Sequence, residues 1–295
     1  MVSDQPRAVQ LHGSEIHTLR SEIAEAEYQV WIARPSFNPR VLRPERLPVL
    51  YVVDADLWFG TATEMTRIMH GLFGELPPVL VVGLAYGTPE LAVVGEIRNR
   101  DLTPTADPGF EAMARQMSPD WQPLLPEGRR MGRAREFLGF IEQEVKPLVQ
   151  RLHPDADPHA EILFGASLGG LFVAWTLVAD PESFDHYIAA SPSLWWDGEM
   201  LFSLEEERAE GREDVAASVF LGVGSLEEGV GLPWLDRFRT VTNVRRLHER
   251  LQGRGYPSLR VEAQVFEGET HTSVVPAVLT RGLRKALSPR RSAAE

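Results

Sequence analysis

The sequence predicts an α/β fold built on a mainly parallel, doubly wound sheet with short antiparallel strands at its start. Short apolar runs, typical of strands buried on both faces, alternate with stretches of helical periodicity along most of the chain. Neither an internal repeat nor a low-complexity linker divides the 295 residues. We therefore expect a single domain over residues 1–295.

Two kinds of pattern predict the strands. The first two segments alternate in side-chain character, which favours antiparallel strands with one solvated face. The later runs are apolar throughout, as in a parallel sheet covered by helices. In chain order, strands are expected at Glu15–Arg20, Tyr28–Ile32, Leu47–Val53, Pro78–Gly83, Ala160–Phe164, Tyr187–Ser191, Ala217–Gly224 and Leu259–Phe266.

Helices are expected where apolar residues recur every three or four positions. The strongest such pattern places Phe137, Ile141, Val145 and Val149 on one stripe. In chain order, helices are expected at Thr61–Phe73, Ala134–Leu152, Leu168–Val178, Glu199–Glu210, Val241–Gly253 and Val274–Leu287.

Both periodicities fade between Ala85 and Arg133. A structureless loop of that length inside a compact domain is usually functional or partly mobile. We therefore predict that the Pro- and Gly-interrupted segment 105–130 forms a cap or lid over a site.

Composition excludes several classes of function. The formal net charge of −12 disfavours nucleic acids and anionic membranes as partners, and the absence of cysteine excludes disulfides, a thiol nucleophile and Cys-ligated metals. We expect no cofactor and no metal. The N-terminal stretch lacks the basic and apolar regions of a signal peptide, and no apolar run is long enough to span a bilayer. A cytoplasmic protein acting on a small molecule is expected, with its oligomeric state open.

Ser167 is the candidate nucleophile. It lies in Gly165-Ala-Ser-Leu-Gly169, between an apolar run and a helical pattern. Strand, tight turn and helix are the context of a G-x-S-x-G nucleophile elbow, in which the glycines leave room for a strained turn that exposes the hydroxyl. The alternative is a glycine-rich turn that only packs a helix on a strand.

His271 is the candidate general base. It follows the last predicted strand and precedes the last helix, whereas His186 lies at the wrong end of a strand and His248 lies within a helix. The acid is less constrained, because Glu227, Glu228 and Asp197 all follow predicted strands. Glu227 has the usual position, and a serine–histidine dyad steadied by a backbone carbonyl remains an alternative.

Backbone N–H groups are the candidates for binding an oxyanion. Leu168 follows the serine at a helix start, and the second donor is expected at Asp56 or Leu57, after the strand Leu47–Val53. Three tryptophans near the ends of predicted strands are candidates for lining the site: Trp58, Trp195 and Trp196. Adjacent tryptophans cannot both face the same side, so one of the last two is expected to line the pocket.

Five segments together resemble the putative-esterase branch of the α/β-hydrolases, which includes esterase D-type enzymes and the enterobactin and bacillibactin esterases. They begin at Pro48, Arg98, Gly165, Ala189 and His271, and read PVLYVVD, RNRDLTP, GASLGG, AASPSLWW and HTSVVP. The resemblance covers about residues 28–287. It departs from the family at Ala55, where glycine is common.

The resemblance implies an α/β-hydrolase fold, with Ser167 as nucleophile and His271 as base. It places the Arg98–Pro104 motif beside the pocket, where Arg100 either binds an acidic or catecholate part of the substrate or braces Asp101. The implied activity is hydrolysis of a carboxylic ester through an acyl-enzyme, with a siderophore-type trilactone or a small aryl or acyl ester as substrate. A non-catalytic binding protein on the same scaffold, or an acyltransferase using the same serine, are the alternatives.

Overall fold

A single sheet organises the computed structural model, which describes residues 9–36, 44–72, 74–117, 123–126 and 128–287. Its strands are β1 (Ser14–Ser21), β2 (Ala26–Ala33), β3 (Leu47–Val52), β4 (Leu80–Ala85), β5 (Ala156–Ala166), β6 (His186–Ala190), β7 (Ser218–Gly224) and β8 (Arg260–Phe266). They lie in the order β1-β2-β4-β3-β5-β6-β7-β8. The pairs β1–β2 and β2–β4 are antiparallel, and all later neighbours are parallel. The predicted sheet is confirmed.

Helices cover both faces of the sheet. They are α1 (Ala55–Gly71), α2 (Leu91–Asp101), α3 (Pro108–Met117), α4 (Ala134–Phe140), α5 (Lys146–Leu152), α6 (Leu168–Ala179), α7 (Trp196–Ala209), α8 (Pro233–Asp236), α9 (Thr240–Gly253) and α10 (Val275–Leu287). A π-helical turn, Ile141–Val145, joins α4 to α5. One apolar core lies between the sheet and α1 and α10, and the other lies under α4 to α7 and α9.

The start of α1 differs from the sequence prediction. The helix begins at Ala55 rather than at Thr61, because Asp54 adopts a left-handed conformation (φ 54°, ψ 44°) and turns the chain directly from β3 into the helix. The Asp54 carbonyl then accepts the N–H groups of Leu57 and Trp58, at 2.9 and 3.1 Å. Residues expected in a loop thus form the first turn of a helix.

The stretch 85–133 also contains more regular structure than predicted, namely α2 and α3. Hydrophobic periodicity does not reveal α2, because the two residues it buries are Val94 and Asp101, while the apolar Leu91 is 69% exposed. Besides the buried Val94, the contacts of Arg98 with Asp54 and of Arg100 with Tyr28 hold this helix in place.

The predicted cap segment 105–130 packs on α7, although residues 118–122 and 127 lie outside the described residues. The indole N–H of Trp196 donates to the Thr105 carbonyl at 3.0 Å, and the Asp107 carboxylate accepts the N–H of Asp197 at 3.0 Å. The Phe110 ring lies 5.1 Å from the Trp196 ring. These contacts anchor the segment near the carboxyl ends of the parallel strands.

Helices of the described ranges include none with the length and apolar character required to cross a bilayer.

Candidate active site

The turn at Ser167 is strained in the way that a nucleophile elbow requires. Ser167 has φ 60° and ψ −116° between β5 and α6, a conformation that L-residues rarely adopt. Its N–H donates to the Ala190 carbonyl at 2.9 Å, and its own carbonyl accepts the N–H of Leu171 at 2.9 Å. A Cβ on Gly165 would lie 2.4 Å from the Gly169 carbonyl oxygen, so the elbow requires glycine there.

His271 and Glu227 form a close hydrogen bond at the neighbouring strand ends. His271 Nδ1 lies 2.6 Å from Glu227 Oε2. Because an ionised carboxylate only accepts hydrogen bonds, Nδ1 carries the proton, and Nε2 is left as the basic nitrogen. The His271 side chain is 44% exposed, whereas that of Glu227 is 1% exposed. The pair therefore combines an accessible imidazole with a buried, oriented carboxylate.

Of the two competing carboxylates, that of Glu228 has another partner, and Asp197 lies on another segment than Glu227 does. Glu228 accepts hydrogen bonds from the N–H and hydroxyl of Thr242, at 2.7 and 2.6 Å, beside the start of α9. Asp197 lies in α7 with φ 45°, and its N–H bonds to Asp107. Glu227 is thus the carboxylate that the fold brings to His271.

Two serines that sequence reasoning missed lie in the loop after β6. The Ser191 hydroxyl is 2.6 Å from Glu227 Oε1, and the Ser193 hydroxyl is 3.5 Å from the Ser167 hydroxyl. Within the described residues, the side-chain partner of Ser167 Oγ is therefore Ser193 rather than His271. Catalytic hydrogen bonds are often long without substrate and tighten in the complex. A signal was present in the sequence, because both serines follow a predicted strand end.

A buried ion pair lies beside the elbow. Arg98 donates to both carboxylate oxygens of Asp54, with Nη2 2.7 Å from Oδ2 and Nε 3.1 Å from Oδ1. The Asp54 side chain is 0% exposed and that of Arg98 is 17% exposed. Burial by itself would lower the pKa of Arg98. The charge of Asp54 and its hydrogen bonds outweigh this effect, so the pKa of Arg98 is raised. The pair joins the end of β3 to α2.

The profile of the family described as Putative esterase matches residues 21–273. The chain belongs to the putative esterase family. The family predicted from the five motifs is confirmed.

Two curated relatives and one solved structure resemble this esterase over nearly its whole length. It is 33% identical to ferri-bacillibactin esterase BesA of Bacillus subtilis, over 96% of this chain and 92% of that protein. It is 29% identical to the siderophore triacetylfusarinine C esterase of Aspergillus fumigatus, over 96% of each chain. The structure of siderophore hydrolase EstB from Aspergillus nidulans matches with a TM-score of 0.78 and 27% identity, covering 98% of this chain and all of that one. The chain is a carboxylic ester hydrolase with an α/β-hydrolase fold.

Arg100 of the esterase makes the bracing contact that the sequence left open as an alternative. Its Nε and Nη2 donate to Asp101 at 2.6 and 2.8 Å, and Nη2 also donates to the Tyr28 hydroxyl at 3.1 Å. Burial raises the pKa of the Asp101 carboxyl, an effect that the hydrogen bonds and charge of Arg100 oppose. The Arg100 guanidinium therefore holds α2 against β2.

The two candidate donors on α1 already have acceptors. The N–H of Leu57 donates to the Asp54 carbonyl at 2.9 Å, and the Asp56 carboxylate accepts hydrogen bonds from its own N–H and from that of Tyr86, the latter at 2.7 Å. Burial raises the pKa of Asp56, and these hydrogen bonds oppose the rise. Leu168, in contrast, begins α6, where N–H groups lack intrahelical acceptors.

The three candidate tryptophans have different environments. Trp196 is 0% exposed and belongs to the apolar core. Trp195 is partly buried, and its ring stacks on that of Phe238 at 4.3 Å. Trp58 is partly buried against the core on the other face of the sheet. Of the two adjacent tryptophans, Trp195 is therefore the one that keeps some exposed surface.

No group of three or more His, Asp or Glu side chains within the described ranges is arranged to hold a metal ion.

Proposed function

We propose that the chain is a serine esterase that hydrolyses an ester bond of a siderophore, with Ser167 as nucleophile, His271 as general base and Glu227 as the acid that orients the imidazole. The observation that carries the proposal is the 2.6 Å bond from His271 to the buried carboxylate of Glu227. It leaves Nε2 basic at the edge of the sheet where the parallel strands end, and Ser167 follows β5 at the same edge.

The mechanism follows from these three side chains. His271 Nε2 takes the proton of the Ser167 hydroxyl as Oγ attacks the ester carbonyl. The bond to the leaving alcohol breaks, and the imidazolium returns the proton to that alcohol, which leaves an acyl group on Ser167. A water molecule, deprotonated by His271, then attacks the acyl carbonyl. The bond to Ser167 Oγ breaks, the imidazolium returns the proton to Oγ, and the acid is released.

The oxyanion formed in both steps needs N–H donors. Leu168 is the first donor in this proposal, because its N–H lies at the start of α6. We assign the second donor to the first turn of α1, where Asp56 and Leu57 lie. An oxyanion bound there competes with the acceptors these N–H groups already have.

The siderophore assignment rests on the relatives. Ferri-bacillibactin and triacetylfusarinine C are the substrates in the names of two proteins that align with 96% of this chain. Trp195, stacked on Phe238, offers an aromatic surface for such a ligand. The 44% exposure of His271 leaves the site open to a large substrate.

Substitution of the nucleophile tests the chemistry. With p-nitrophenyl acetate, Ser167→Ala and His271→Ala are expected to lower kcat by about 10⁴-fold or more, and a fluorophosphonate probe should no longer label Ser167→Ala. The control is Ser183→Ala, which removes another buried serine hydroxyl. Unchanged turnover in Ser167→Ala would refute the proposal.

A substrate panel tests the specificity. Hydrolysis rates should be compared for p-nitrophenyl acetate, a feruloyl ester, ferri-bacillibactin and triacetylfusarinine C. The proposal predicts the highest kcat/KM for a siderophore. A preference for the feruloyl or the short ester would retain the serine chemistry and remove the siderophore assignment.

A further inference from the structure

The loop that follows β6 contacts both ends of the proposed catalytic set. Ser191 touches Glu227, and Ser193 touches Ser167, with Pro192 between them. The acid and the nucleophile lie on loops after β7 and β5, which are the two neighbours of β6 in the sheet. A single short loop thus contacts both the proposed acid, Glu227, and the proposed nucleophile, Ser167.

The backbone of Ser191 is held in an unusual conformation. Its φ is 44°, which is uncommon for a residue with a side chain. Its N–H donates to the Gly222 carbonyl at 2.7 Å, and the residue is 0% exposed. Strain of this kind persists only where surrounding contacts hold it, and it clusters at functional sites.

The Ser191 hydroxyl orients the Glu227 carboxylate. Oε1 accepts this hydroxyl at 2.6 Å and the Gly224 N–H at 2.7 Å, while Oε2 faces His271. Hydrogen bonds to a buried carboxylate are strong, because little water competes for its oxygens. With Oε1 held from two directions, rotation of the carboxylate away from His271 is opposed.

Close packing keeps the loop against the elbow. The N–H of Ser193 donates to the Ser167 carbonyl at 3.1 Å. A Cβ on Gly170 would lie 2.9 Å from both the Ala190 carbonyl oxygen and Pro192 Cα, so glycine at that position admits the loop. These contacts fix the position of the loop, and with it that of Ser191, relative to Ser167.

We propose that Ser191 is a positioning residue for the esterase reaction, which acts by holding Glu227 in the orientation that keeps His271 aligned. This inference rests on the proposed function. It predicts that the hydroxyl matters only while Glu227 is present. Ser193, which contacts the nucleophile directly, should act independently of Glu227.

The test measures kcat and KM for p-nitrophenyl acetate in single and double variants. Ser191→Ala is expected to lower kcat about tenfold, the size of effect for one hydrogen bond to a charged group, with KM unchanged. In a Glu227→Ala background, Ser191→Ala should cause no further loss, whereas any loss caused by Ser193→Ala should persist.

Two further variants separate the hydroxyl from the backbone and from burial. Ser191→Gly relieves the strain at positive φ but also lacks the hydroxyl, so it should lose as much activity as Ser191→Ala. Ser183→Ala removes a buried hydroxyl that has no hydrogen-bond partner among the described residues, and it should keep full activity. Thermal unfolding confirms that each variant is folded.

Three results would overturn the inference. They are a kcat of Ser191→Ala within about twofold of wild type, an undiminished tenfold loss in the Glu227→Ala background, and full activity of Glu227→Ala itself. Retained turnover in Ser167→Ala would instead remove the proposed function. The two failures are therefore distinguishable.

Discussion

Arg98 and Asp54 form an ion pair that links three segments beside the elbow. The guanidinium donates to both oxygens of Asp54 and reaches the Ala166 carbonyl, at the end of β5, at 3.5 Å. Asp54 lies between β3 and α1 in a left-handed conformation, and Arg98 lies on α2. The pair therefore fixes the start of α1 relative to the residue before Ser167.

Asp54→Ala leaves the buried guanidinium of Arg98 without its partner. We expect the free energy of unfolding to fall by about 3–5 kcal/mol. Urea unfolding measures this change. The matched control is Glu64→Ala, which breaks the exposed pair of Glu64 with Arg67 and should cost less than about 1 kcal/mol. Equal losses in the two variants would show that burial adds nothing to the Arg98 pair.

Gly165→Ala places a methyl group 2.4 Å from the Gly169 carbonyl oxygen. Since the obstacle is backbone, the elbow must move, and we expect a loss of about 1–3 kcal/mol of stability together with most of the activity. Gly60→Ala in α1 is the control, because its Cβ meets nothing within 4 Å. That variant should be about 0.5–1 kcal/mol more stable. Unfolding curves and ester turnover of both variants check the prediction.

Trp195→Ala and Trp196→Ala should fail in different ways. Trp196 is fully buried, so its loss leaves a cavity and is expected to cost about 3–5 kcal/mol of stability. Trp195 is only partly buried and stacks on Phe238. Its replacement should raise KM for a siderophore or an aromatic ester more than it lowers kcat. A Trp195→Ala variant with unchanged KM would exclude Trp195 from the binding surface.

The pH dependence of stability should depend in part on His153. Burial lowers the pKa of this imidazole below its usual 6.5, and the charge of Arg34 lowers it further. Below about pH 6.5, His153 therefore binds a proton more readily in the unfolded chain than in the folded protein. The free energy of unfolding falls as the pH decreases.

His153→Gln should weaken this pH dependence, which unfolding in urea at about pH 7.5 and about pH 5.5 would measure. The control is His159→Gln, because His159 is exposed whereas His153 is buried. If the free energy of unfolding of His153→Gln still changes between the two pH values as much as that of the wild type, His153 does not cause this pH dependence.

Local sequence patterns predicted the elements that place the site. The motif around Ser167 predicted a strand, a tight turn and a helix, and β5, Ser167 at φ 60° and α6 are found there. The prediction succeeded because glycine stereochemistry and apolar periodicity act over a few residues. It failed at α2, whose buried face carries the charged Asp101.

Partners distant along the chain were beyond the reach of such patterns. Glu227 and His271 are 44 positions apart, and Asp54 and Arg98 are also 44 apart. Three carboxylates follow predicted strands, and the sequence favoured Glu227 only by its position after the next-to-last strand. Only the tertiary structure brings Glu227 to His271 and places the Glu228 carboxylate in hydrogen-bond contact with Thr242.

The amino-acid sequence by itself determined the alternation of strands and helices, the turn at Ser167 and the family, because each of these depends on residues that are close together along the chain. The tertiary structure alone decided that Arg98 pairs with Asp54, that Arg100 reaches Tyr28 on β2, and that the loop after β6 brings Ser191 to Glu227. The physical reason is that strand order and register set these contacts. They arise from packing of the whole sheet, which no local pattern encodes.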